Sequence, residues 1–254
     1  MGYVLAIAGQ TLTEARRNRV FYSVFLFGLV VVLNSVIFTE VTSTTMDRVL
    51  KDTGLAAINL FALALTVFTG VGIVNREIDR KSIYTILAKP ISRFGYILGK
   101  YLGLLAIILV TSSAMFVAFL FVLKGYKTPI HAGVFLGFFG IVLEVMVLGA
   151  IAVLCSSFTN SFVSAFICVA VYVSGHLSGE FLHAARKAGP LGRAMGEFIY
   201  YVMPNLERFN FKYQATYDLM VSERALATVL VFGLAYVCAA LAAAVLVFSR
   251  RDFR

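Results

Sequence analysis

The chain has 254 residues, of which 60% are hydrophobic and 14% charged, with a net charge of +9. A soluble globular chain is about half apolar and a quarter charged, so this composition excludes a soluble enzyme and describes an integral membrane protein. The positive charges cluster in the gaps between apolar runs, which fits loops beside anionic lipid headgroups and excludes a nucleic-acid-binding face.

The opening stretch, 1–19, runs apolar and then basic, the reverse of a secretory leader, so no leader is expected. It reads as an amphipathic interfacial helix. Arg16, Arg17 and Arg19, just before the first span, are expected to hold the N-terminus in the cytoplasm. Six apolar runs of crossing length follow, at 20–38, 55–74, 94–123, 132–154, 162–181 and 225–248. The expected fold is therefore all-α and polytopic: one transmembrane domain over 1–254, with six helices and both termini inside. Between spans one and two, Glu40 to Gly54 reads as a polar external loop, and Thr111 to Ser113 in the third span as a bend. The segment 182–223, broken by Gly189-Pro190 and Pro204-Asn205, reads as external amphipathic helices, outside the bilayer or dipping part-way into it.

Several absences narrow the chemistry. No phosphate-binding loop is present; GYILGKY at 95–101 has three residues between its glycines and Tyr in place of Ser or Thr. The chain is thus not expected to hydrolyse ATP or to act as an enzyme. Cys155, Cys168 and Cys238 lie within apolar runs and read as buried free thiols. His131, His176 and His183 are all expected on the outer side but apart from one another, and they read as interfacial residues, so no metal site is expected.

The most densely charged stretch, 75–93, lies between spans two and three. Ile78, Ile83, Ile86 and Leu87 fall on one face of a short helix that Pro90 stops. On physical grounds it either sits among lipid headgroups or presses on a soluble partner.

The run REIDRKSIYTILAKPISR at 76–93, followed by Tyr96-Ile97-Leu98-Gly99-Lys100, resembles the ABC-2 class of ABC-transporter permeases. It is most similar to the branch containing the permease of nitrous-oxide-reductase maturation. PNLERFN at 204–210 and FSRRDF at 248–253 agree, so the resemblance spans essentially the whole chain. It implies that Glu77 to Lys89 is a coupling helix docked in the groove of a separate cytoplasmic ATPase. Ile83, Ile86 and Leu87 would fill the groove, with Glu77, Asp79, Ser82 and Lys89 around them setting register. It also implies two permease copies, expected to be identical, and two ATPase copies. ATP and Mg would be carried by the ATPase, no cofactor by this chain, in the inner membrane of a bacterium. Export is the implied direction.

Within the spans, Glu144 is an acid in mid-helix that must face protein or water; it reads as a pathway residue or as a hydrogen bond between helices. Asn59 and the pairs Gly99/Gly103 and Gly133/Gly137 read as interhelix packing. Tyr200, Tyr201, Tyr213 and Tyr217 form an aromatic group in the external segment that Pro204 and Asn205 break, and they read as an interfacial anchor, a lid over a central path, or a dock for an external (periplasmic) partner. Two rivals stand beside transport. One is a mechanical or anchoring component that moves an external partner without solute flux. The other is a membrane enzyme or ATP-independent carrier centred on Glu144.

Overall fold

Among the described residues the long apolar runs form helices, because in hydrocarbon the backbone must satisfy its own hydrogen bonds. A computed structural model describes residues 2–16, 22, 25, 26, 28–30, 46–75, 77, 92–187, 189, 192–194, 196, 197 and 203–250. These residues contain helices and turns and no strand. The helices are α1 (Gly2–Arg16), α2 (Met46–Gly70), α3 (Arg93–Gly125), α4 (Ala132–Phe158), α5 (Ser161–His176), α6 (Ser178–Lys187), α7 (Lys212–Tyr217) and α8 (Glu223–Arg250), with a 3-10 turn at Leu206–Phe209.

Among the described residues, α2, α3, α4 and α8 are long and apolar enough to cross a membrane. With 16 residues, α5 covers about 24 Å, short of a full hydrocarbon core, but α6 resumes one residue later. The run 20–38 lies largely outside the described residues. Its Gly28 packs against Met115 of α3 and Phe61 of α2, which places residues 28–30 alongside those two helices.

α4 is the central helix, touching α2, α3, α5, α7, α8 and the 3-10 turn. Its buried face combines small residues (Gly133, Gly137, Gly140, Gly149, Ala150) with Leu and Val, so neighbouring backbones approach closely. α3 runs unbroken through Thr111, whose hydroxyl folds back onto the Ile107 carbonyl at 2.7 Å, so the expected bend does not interrupt the helix. Its start is capped by Ser92, which accepts from the Gly95 amide at 3.1 Å.

Two elements differ from the sequence reading. The polar stretch before the second span is not all loop, since α2 begins at Met46. Two of the charges that argued for a loop are satisfied within the protein. Lys51 is buried and ion-paired to Asp218 at 3.0 Å, and Asp47 accepts from the Thr128 hydroxyl at 2.8 Å. The second difference is α1, which packs lengthwise on the first turns of α3. Gly95 meets Tyr3, Gly99 meets Val4 and Ile7, and Gly103 meets Ala8 and Thr11. A glycine every fourth residue puts a flat stripe on one side of α3, and α1 lies in it, parallel to α3. Cys155 and Cys168 are buried as expected, whereas Cys238 is exposed.

Candidate functional site

The charged stretch joins α2 to α3, and both of its described ends are tied down. After Gly70 the chain makes a buried turn. The amides of Val74 and Asn75 donate to the Ser156 hydroxyl of α4 at 3.1 and 3.3 Å. Glu77 follows, its side chain directed inward and only 6% exposed. Tyr96 and Lys100, four residues apart on α3, share a helix face and converge on it. The Tyr96 hydroxyl donates to Oε2 at 2.5 Å, and the Lys100 ammonium pairs with Oε1. A buried ion pair is tolerable only with such geometry and extra hydrogen bonds, since removing both charges from water costs several kcal/mol per ion.

The last span is drawn into the same cluster. Tyr96 stacks on Phe248 with centroids 5.3 Å apart. Arg93 donates to the carbonyls of Phe248 and Ser249, each at 2.8 Å, satisfying acceptors that the end of α8 leaves open. The Tyr3 hydroxyl of α1 lies 3.3 Å from the Ser92 hydroxyl. Polar contacts and ring packing thus gather the ends of α1, α2, α3, α4 and α8 around the two roots of the loop.

Of the residues expected to meet an ATPase, Glu77 is part of this internal cluster. Asp79, Ser82, Ile83, Ile86, Leu87 and Lys89 lie outside the described residues. Sequence reasoning placed Lys100 in the motif but missed its partner; its spacing from Tyr96 was the available signal.

At the other end of α4 the chain segment 203–218 is inserted into the bundle. The carbonyl of Phe209 sits against Gly140, Ala215 against Gly137 and the Gln214–Ala215 backbone against Gly133. Gly140 is eight residues inside α4, about 12 Å along its axis, so the segment descends that far before returning. On the neighbouring helix, Gly175 takes the Pro204 carbonyl and Leu206. Pro204 is buried, and Asn205, half-buried, has an Oδ1 without a hydrogen bond among the described residues. Tyr200 and Tyr201 lie outside the described residues. The pair Gly133/Gly137 therefore serves close packing, Gly137 against Leu55 of α2 as well as the inserted segment and Gly133 against the inserted segment.

Under this segment Glu144 and Asn59, from α4 and α2, come together. Both are 1% exposed. Neither polar atom of Asn59, nor Oε1 of Glu144, has a hydrogen bond among the described residues. His176, at the end of α5, brings Nε2 to 3.6 Å from Oε1. It also lines a cavity of about 450 Å³ with Glu180, His183, Asn205, Glu207 and Arg208. Sequence reading left His176 as an interfacial residue, because nothing local in the fifth apolar run points to Glu144. Among the described residues, no three His, Cys, Asp or Glu side chains are placed to hold a metal ion.

A family model described as ABC-2 family transporter protein matches residues 28–253, which takes in the clamped loop, the inserted segment and α2 to α8. The chain belongs to this family. Comparison with curated proteins finds no match. As an ABC-2 family member the chain is a permease component of an ABC transporter and an integral membrane protein, and the family in general implies a partner ATPase subunit.

Proposed function

We propose that this ABC-2 permease takes up the work of a cytoplasmic ATPase through the loop between α2 and α3. The observation that carries the reading is the clamp at the roots of that loop. With Glu77 held by Tyr96 and Lys100, and Arg93 holding the end of α8, a push on the loop displaces several helices together. A loose tether would absorb the same push locally.

In this reading Glu77 stiffens the lever from inside, while Ile83, Ile86 and Leu87 fill the ATPase groove and Asp79, Ser82 and Lys89 set its register. The run at 20–38 supplies a sixth span, both termini are cytoplasmic, and the inserted segment 203–218 enters from the external side. The protein works in a bacterial inner membrane as a homodimer with two ATPase subunits, which carry the ATP and Mg that this chain does not bind. It resembles the nitrous-oxide-reductase maturation branch, and the resemblance supports movement of substrate outward.

The test is reconstitution of the full chain with its ATPase. Ile83→Asp and Leu87→Asp should abolish stimulation of ATP hydrolysis by the permease while leaving the permease folded. Undiminished stimulation in both variants would refute coupling through this loop. Hydrolysis without flux of any solute offered would instead assign the motion to an external partner.

A further inference from the structure

Glu144 belongs to no feature of the lever. It lies in the middle of α4, about 21 Å along the helix from its C-terminal end, in a setting where an ionisable group is costly and marks function by default. The group facing it is His176. The other ring nitrogen of His176, Nδ1, lies 3.1 Å from the Tyr172 carbonyl. A carbonyl only accepts, so Nδ1 carries a hydrogen, and a neutral ring would turn the lone pair of Nε2 toward Oε1 of Glu144. Two acceptors facing each other with no hydrogen between them repel. A single proton relieves this, on the imidazole as an ion pair or on the carboxyl as a neutral hydrogen bond.

Other groups bear on Glu144, but none closes a hydrogen bond to its Oε1 among the described residues. The charged side chains acting on Glu144 are Lys212 and Glu207 of the inserted segment, of opposite sign. The Tyr172 hydroxyl on α5 also faces Glu144 and Glu207. The Asn59 amide lies close enough to act on Glu144, but not at the geometry of a full hydrogen bond among the described residues. Access comes through His176, which is 20% exposed at its side chain and lines the cavity with Glu180, His183, Glu207 and Arg208.

We propose that Glu144 and His176 form a proton-binding site, one proton being held between Nε2 and Oε1 and exchanged through the cavity that His176 lines. When filled, the site fastens α4 to α5. When emptied, it leaves a buried carboxylate opposite a lone pair, which drives the two helices apart or draws water in. Exchange moves one proton between cavity water and the pair, with no other bond made or broken.

The experiment is an infrared pH titration of the purified full-length protein in lipid nanodiscs. A carboxyl band absent from Glu144→Gln should titrate in the wild type. Its midpoint should move by about one pH unit or more in His176→Gln. No band assignable to Glu144, or an unchanged midpoint, would overturn the proposal. Nitrogen-15 signals of His176 give a second measure that does not need the His176 variant to fold. The Nε2 signal should shift in Glu144→Gln, and identity with the wild type would overturn the pairing. Nanodiscs have no sides, so the result does not depend on the membrane orientation proposed above. That orientation is tested separately by labelling Ser82→Cys in sealed cells.

Discussion

Lys100 and Glu77 close a buried ion pair across the two ends of the loop that joins α2 to α3. Lys100 is 1% exposed, so Glu77→Gln leaves a cation out of water and without its carboxylate. The variant should lose about 3 to 5 kcal/mol of stability, read as a fall in thermal unfolding temperature in detergent. The double variant Glu77→Gln/Lys100→Met removes both charges and should recover part of that loss. ATPase stimulation should stay low in the double variant, because its loop roots are no longer held by charge.

Ser156 tests the other root. Its hydroxyl accepts from the amides of Val74 and Asn75, in a turn where both residues are buried. Ser156→Ala leaves these amides without that acceptor and should cost about 1 to 3 kcal/mol. Hydrogen exchange should rise at residues 71–77 and remain low in the middle of α4.

The Lys51–Asp218 pair is asymmetric, with side chains 2% and 35% exposed. Asp218→Asn keeps a residue suited to the left-handed backbone there (φ 53°) but strands a buried cation, so it should cost about 3 kcal/mol. Lys51→Met leaves an aspartate that water can reach and should cost about 1 kcal/mol or less. Equal losses in thermal unfolding would show that the pair is not buried as described.

A methyl group at Gly140 would collide with the backbone carbonyl of Phe209, which cannot rotate out of the way. Gly140→Ala should destabilise by about 2 kcal/mol and make residues 203–218 more susceptible to protease. Gly9 in α1 has open space around it, so Gly9→Ala should be neutral or stabilising by up to about 1 kcal/mol. The two substitutions are the same chemistry in different surroundings, and thermal unfolding separates them.

The spans were readable because length and apolarity are local properties; α3 and α4 start within one residue of the expected positions. What escaped depends on partners distant in sequence. Lys51 looked like loop because Asp218 is 167 residues away. Gly95, Gly99 and Gly103 do pack between helices, but nothing in α3 announces that the helix lying along them is α1. Glu144 and Asn59 were singled out as polar residues in apolar runs, and they are neighbours. His176 was not joined to them, since a histidine at the end of an apolar run has many ordinary explanations. The loop motif gave the family, while the inward direction of Glu77 needed Tyr96 and Lys100 in place.

The segment 203–218 works as a cork on one end of the bundle. Phe209 rests in the notch at Gly140, and Asp218 is strapped to Lys51 where the segment comes back out. The segment therefore occupies the space along that side of α4 between Gly133 and Gly140. The seat of Phe209 at Gly140 and the Lys51–Asp218 pair hold the segment at two separate points, so loosening one leaves the other in place.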